Sequence, residues 1–360
     1  MARKTLSPFI LLSLVAACGS PQTAAPTAAN QGPALPPPTT ASPTPKAAVV
    51  ETPKKPEPTP TPEEKKKAEE ARQLQEDRAK FEEENAKERA RWTPDMHAAA
   101  KALVEKAHPN ARAALQAALA GKHRKPTNAE RDKYRHPLET LEFFGVKPNM
   151  TVLDIGPGEG WYTEILAPVL SAKGKLLVTG GDPNGPADQR SAFYAQRFKA
   201  FTENAPELYG KVDSLVVDSK APKLGANADG TIDVVLIMRG LHGMKNGGTL
   251  GAWLTEIHRT LKPNGVLGIE EHRAKPDANV DESAKKGYVP EKWAIEQIEA
   301  AGFKLAGKSD INANVNDTKD YPEGVWTLPP TLRLKDKDRE KYLTIGESDR
   351  MTLKFVKVKK

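Results

Sequence analysis

A single cysteine in 360 residues excludes an intramolecular disulfide, a cysteine-based zinc site and a CxxC redox pair. Long apolar runs are missing too. The run from Phe9 to Ala17 has nine residues, well short of the roughly 20 that cross a bilayer. No Gly-Lys-Ser/Thr follows the glycine cluster near position 158, which removes a phosphate-gripping P-loop, and no HExxH or comparable spacing offers a metal site. Concentrated charge is lacking as well. Of the net +7, the first 45 residues hold two basic and no acidic groups, and Lys46 to Arg91 holds 12 of each sign. The remaining 269 residues carry 40 basic and 35 acidic groups, too thin an excess for the basic footprint of a nucleic-acid binder.

What is present is unevenly placed. Thirteen of the 31 prolines fall between Gly19 and Pro62, a composition that cannot build a packed core and reads as a disordered tether. Before it, Arg3 and Lys4 with the apolar run make a signal peptide over residues 1–17. The stretch Leu14-Val15-Ala16-Ala17-Cys18 resembles the bacterial lipobox. The resemblance implies a diacylated Cys18 as mature N-terminus and a protein held on the periplasmic side of an inner or outer membrane, since several acyl chains suffice for stable anchoring. An ordinary secretory signal with an incidental cysteine is the alternative.

After the linker of residues 18–62, residues 63–92 mix Glu, Lys, Arg and Ala with i,i+4 pairs such as Glu63 with Lys67 and Glu76 with Lys80. This is a long charged helix, and without an a/d heptad it reads as a solitary spacer. Residues 93–125 form a short helical pair opened by Thr93-Pro94. From residue 126 to 360 the pattern alternates. Strands are expected at Thr151–Ile155, Lys175–Thr179, Lys211–Val217, Ile232–Met238, Gly265–Ile269, Phe303–Ser309 and Met351–Val358. Helices are expected at Leu138–Phe144, Glu159–Ser171, Leu250–Leu261 and Pro290–Ala301. Alternation of this kind implies an α/β, doubly wound parallel sheet, its last two strands an antiparallel edge pair.

The sequence Asp154-Ile155-Gly156-Pro157-Gly158-Glu159-Gly160 ends a strand and opens a helix, where missing side chains let a ligand lie against backbone. A dinucleotide fingerprint needs its third glycine or alanine one place later, where Trp161 stands; its indole would obstruct a pyrophosphate. The run Val152 to Gly160 resembles motif I of class I S-adenosylmethionine-dependent methyltransferases, (V/L)-L-D-(I/V)-G-x-G-x-G. Leu261-Lys262-Pro263-Asn264-Gly265 is close to the LKPGG before their fifth strand. Phe143 to Pro148, Gly160 to Pro168 and Pro322 to Trp326 look like a bacterial family of signal-bearing predicted methyltransferases. The resemblance implies a Rossmann-like seven-stranded sheet and S-adenosyl-L-methionine as cofactor. It assigns Gly156, Gly158 and Gly160 to main-chain contact with the methionine part, Asp154 to its ammonium, Asp182 to the ribose and Asp218 to the adenine. Asp182 departs from the usual spacing, and each acid has a turn-forming or helix-capping alternative.

Methyl transfer needs orientation, charge placement and, for a weak nucleophile, a base. The places for these lie beyond the fourth and fifth strands. Arg239-Gly240-Leu241-His242 and Glu270-Glu271-His272-Arg273 stand there. His242 and His272 are the candidate proton acceptors, with Glu271 to orient one of them. The absence of the Asn/Asp-Pro-Pro-aromatic tetrapeptide after strand four weighs further against nucleic acid. A tethered methyltransferase with a small-molecule or lipid-like acceptor is one reading; a non-catalytic envelope module on the same fold is the other. The insertion Asn312 to Asp349 is either a lid over the acceptor pocket or a surface extension.

Overall fold

The computed structural model describes residues 61–358. The signal segment, Cys18 and the linker up to residue 60 lie outside the described residues. The first helix, Pro62–Arg91, is started by a capping box in which Thr61 and Glu64 satisfy each other's backbone amides. It does not stand alone as expected. Leu74, Arg78 and Phe81, at i, i+4 and i+7, form one stripe. Leu74 is buried, Phe81 meets Phe193 edge-on at 5.9 Å, and the Arg78 guanidinium lies 4.9 Å over the same ring. A narrow stripe is enough to dock an otherwise solvated helix. Helices Pro94–Glu105 and Ala111–Leu119 follow, capped by Thr93 and Asn110. Among the described residues, no helix is long and apolar enough to cross a membrane.

Seven strands form one sheet in the order β3-β2-β1-β4-β5-β7-β6. They are β1 Thr151–Ile155, β2 Lys175–Gly180, β3 Asp213–Val216, β4 Ile232–Met238, β5 Leu261–His272, β6 Phe303–Ser309 and β7 Arg350–Lys357. The first five are parallel, and β7 runs antiparallel between β5 and β6. This is the doubly wound sheet with an antiparallel C-terminal edge pair that the alternation implied, and the Rossmann-like seven-stranded architecture that the resemblance implied. One face of the sheet packs against helices Pro137–Phe144, Thr163–Leu170 and Arg190–Glu203, through residues such as Leu141, Phe144, Ile165, Leu166 and Phe198. The other packs against Leu250–Thr260 and Glu291–Ala300, through Trp253, Leu254, Ile257 and Ile298.

Three local features differ from the sequence reading. Helix Arg190–Glu203 joins β2 to β3 although periodicity did not announce it. Its aromatics are divided between partners: Phe193 faces the Pro62–Arg91 helix, and Phe198 and Phe201 face the core. The β3 to β4 crossover contains only a turn of 3-10 helix, Ala226–Ala228. Finally, β5 is longer at both ends than Gly265–Ile269: Leu261 pairs with Ile232 of β4, and pairing with β7 continues through Glu270↔Thr352, Glu271↔Met351 and His272↔Arg350. Successive strand residues point to opposite faces. The two adjacent glutamates are therefore sent to opposite sides of the sheet.

Candidate active site

The glycine loop leaves the C-terminal end of β1 with Gly156 and Gly158 at φ +67° and +61°, and a Cβ at either would meet no atom within 4 Å. The backbone there is bare on its crevice side. Gly160 serves differently. At φ +84° its missing Cβ points into the Phe201 ring, 2.4 Å from the nearest ring carbon, so its smallness lets helix Arg190–Glu203 close against the loop. Trp161 is turned away as well: its indole N–H donates to the Asn128 carbonyl at 3.0 Å, and its ring packs under Arg124 and Arg135. The indole does not obstruct the loop, which corrects the reason given above for setting a pyrophosphate aside.

A crevice of about 760 Å³ opens along the ends of β1 to β4, walled by Gly156, Gly180, Asp182, Asp218, Arg239 and Trp253 among others. That volume suits a nucleoside-sized ligand. A second, mostly apolar cavity of about 570 Å³ adjoins it between helix Arg190–Glu203 and strands β2 and β3. Asp182 and Asp218 both stand on the crevice wall. Each also caps a turn, Asp182 accepting from the Asn184 amide at 2.8 Å and Asp218 from the Lys220 amide at 2.9 Å. Asp154 lies beneath the loop, 2% exposed. Burial raises its carboxyl to about 7 against a pull downwards from the Arg239 charge.

Beyond β4 and β5 the side chains are densely paired. Glu271 accepts from the backbone amides of Leu241, His242 (3.1 Å) and His272 (2.9 Å), and its Oε1 lies 3.0 Å from His242 Nδ1. A carboxylate only accepts, so Nδ1 carries the proton and Nε2 is left with the lone pair. Burial lowers the His242 pKa, but the charge and hydrogen bond of Glu271 outweigh it and the imidazole is raised above its ordinary value. His272 is driven well below its ordinary value by burial, then by the charges of His242, Arg350 and Arg239; its Nδ1 meets Ser348 Oγ at 2.6 Å. Trp326, from the inserted segment, stands edge-on to His242 at 6.0 Å. His242, Glu271 and His272 place their donor atoms within 4.8 Å of one another, close enough for a shared metal. The Glu271 oxygens, however, are already committed to four N–H groups. The arrangement is that of a His–Glu pair.

On the other face Glu270, fully buried, holds Arg239 at 2.9 Å, Arg350 at 2.6 Å and the Tyr162 hydroxyl at 3.1 Å. Arg350 reaches on to Glu347 at 2.7 Å, which also takes Arg131 at 2.7 Å and Arg135 at 2.9 Å. Sequence reasoning missed this network. Arg131 and Arg135 precede the sheet by sequence, Glu347 and Arg350 come after nearly all of it, and no local motif joins them. The one local signal was Arg239, directly after β4.

Residues 128–296 match the model of a methyltransferase domain. This chain carries a methyltransferase domain. A sterol 24-C-methyltransferase of Gibberella zeae is 24% identical to it over 213 residues, 55% of this chain and 50% of that protein. The chain thus spans about half the length of the curated relative it matches. Among solved structures, an S-adenosylmethionine-dependent methyltransferase from Aquifex aeolicus is 18% identical, with TM-score 0.41, covering 65% of this chain and 94% of that one. The Burkholderia thailandensis 1,6-didemethyltoxoflavin-N1-methyltransferase, solved with S-adenosylhomocysteine, is 16% identical with TM-score 0.36, covering 62% and 77%. A domain of this class takes its methyl group from S-adenosyl-L-methionine. Within the matched residues lie two glycines with open Cβ directions, and a crevice with room for a nucleoside and two carboxylates on its wall.

Proposed function

We propose that this chain is an S-adenosylmethionine-dependent methyltransferase acting on a small-molecule acceptor and tethered to the bacterial envelope through a lipid on Cys18. The observation that carries the catalytic half of the proposal is the continuity of the crevice from the bare backbone at Gly156 to Arg239, three residues before His242, with Gly158 on the adjoining cavity. Gly156 and Gly158 would hold the methionine part by main chain, with Asp218 at the adenine end and Asp182 at the ribose. The bound cofactor supplies an electrophilic methyl group. His242 Nε2 accepts the proton that the acceptor's nucleophile must lose, and Glu271 both orients the ring through Nδ1 and stabilises the imidazolium that results. His272, held neutral, adds no competing charge beside it.

Calorimetric titration of the full chain with S-adenosylhomocysteine tests the reading. Micromolar binding, about −8 kcal/mol, is expected; no binding at millimolar ligand would leave the non-catalytic module in its place. The tether is tested separately by metabolic labelling with an alkyne fatty acid, where label on the chain and its loss in Cys18→Ser are expected.

A further inference from the structure

The buried network at the ends of β4 and β5 is out of charge balance. Four guanidinium groups, Arg131, Arg135, Arg239 and Arg350, surround two carboxylates, Glu270 and Glu347. Arg350 is 1% exposed and Arg135 4%, so neither is neutralised by solvent, and an arginine does not shed its proton in proteins. Asp154, which feels the Arg239 charge, is raised to about 7 and supplies at most part of one negative charge at neutral pH. His272 is neutral, and His242 is matched by Glu271. Two carboxylates are thus shared among four guanidinium groups, a net excess of two positive charges in and around the buried network, and excess charge is costly where it is buried.

The excess has one outlet to the crevice. Arg239 stands on the crevice wall and gives one side-chain N–H, from Nη1, to Glu270. The guanidinium has five such donors, more than the bond to Glu270 uses. Its backbone is also unusual, a non-glycine residue at φ +59°. Such a conformation persists only where the surroundings enforce it, and it is found most often at functional positions. Here its amide is pinned to the Glu270 carbonyl at 2.6 Å. Strand β4 therefore ends by placing a fixed cation on the crevice wall, three residues before His242.

We propose that the methyl acceptor is an anion, carrying a carboxylate or a phosphate that Arg239 receives. This rests on the methyltransferase reading of the site and names its substrate class. Arg131 and Arg350, behind Arg239, sharpen the field without touching the ligand. A fixed guanidinium fork suits either oxyanion.

The test is a calorimetric titration of the full chain, saturated with S-adenosylhomocysteine, using acetate, inorganic phosphate and the neutral acetamide as probes. Acetate or phosphate is expected to bind at least tenfold more tightly than acetamide, and whichever binds better distinguishes the two anion classes. The preference is expected to vanish in Arg239→Gln and to survive at reduced strength in Arg239→Lys, with S-adenosylhomocysteine affinity and circular dichroism confirming that both variants are folded. Equal binding of neutral and anionic probes overturns the proposal, as does a preference that persists in Arg239→Gln. Anion binding seen only without S-adenosylhomocysteine also overturns it, because Arg239 would then serve the cofactor's own carboxylate. If S-adenosylhomocysteine itself does not bind, it is the methyltransferase reading that fails.

Discussion

The two halves of the sheet's C-terminal edge are built on opposite principles. Around β1, β2 and β3 the wall is backbone, glycine and exposed acids that cap their own turns. Around β4, β5 and β7 it is a lattice of buried ion pairs in which almost every polar group has a named partner. The first half is open and needs a ligand to fill it; the second is organised before any ligand arrives. In the function proposed above, such a division separates holding a cofactor from positioning charge for chemistry, and preorganised charge is usually the larger contributor to rate.

The contrast can be broken from its stronger side. Glu347→Gln leaves Arg131 and Arg135 without a carboxylate and Arg350 with Glu270 alone, and is expected to destabilise the fold by about 3 to 5 kcal/mol, read from the denaturant midpoint. A loss below about 1 kcal/mol, the level of an exposed pair, would mean that the lattice is solvated after all. Next in size is His242→Gln, which removes the proton acceptor. Methyl transfer should fall by about 10²- to 10⁴-fold while S-adenosylhomocysteine affinity stays within twofold, and a parallel loss of affinity would contradict the division between the halves.

Within the open half, the two kinds of glycine can be told apart. Gly160→Ala drives a Cβ into Phe201 at positive φ and should cost about 2 kcal/mol of stability. Gly158→Ala meets open space, so its cost should be nearer 1 kcal/mol, with most of its effect on cofactor affinity. Equal stability losses in the two variants would show that the loop acts as one packed unit.

The last effect, one of pH, concerns Asp154, at the boundary between the halves. Its folded pKa, about 7, is raised above the 3.8 of an ordinary aspartate. Its contribution to stability is therefore complete below about pH 4 and lost as pH rises to 7. Relative to Asp154→Asn, the native chain should lose about 1.4 kcal/mol for each pH unit between 5 and 7 and then level off. Unfolding curves at pH 5, 6, 7 and 8 check this, and a flat difference would place the carboxyl in contact with solvent.

How much of this was legible in the sequence follows the same division. The open half is written in consecutive residues: TVLDI as a strand, then glycines at 156, 158 and 160. The alternation of strands and helices carried the fold, and Ile232–Met238 and Phe303–Ser309 have the expected bounds. Helix Arg190–Glu203 escaped because its apolar residues serve two neighbours and follow no single stripe. The role of Gly160 and the orientation of Trp161 depend on helices packed from elsewhere. The pairing of His242 with Glu271 was within reach, since both residue types stood at adjacent strand ends. The arginine network was not, because Arg131 and Glu347 are separated by 216 positions and meet only in the finished fold.

Strand β7 slots between β5 and β6 and brings Arg350 with it. A nascent polypeptide that has not yet released residues 345–357 has no means of joining Glu270 to Glu347 or of backing His272 with Ser348. Assembly of the reactive side is thus deferred until translation has passed that point, so a growing chain carries no finished centre with which to act prematurely.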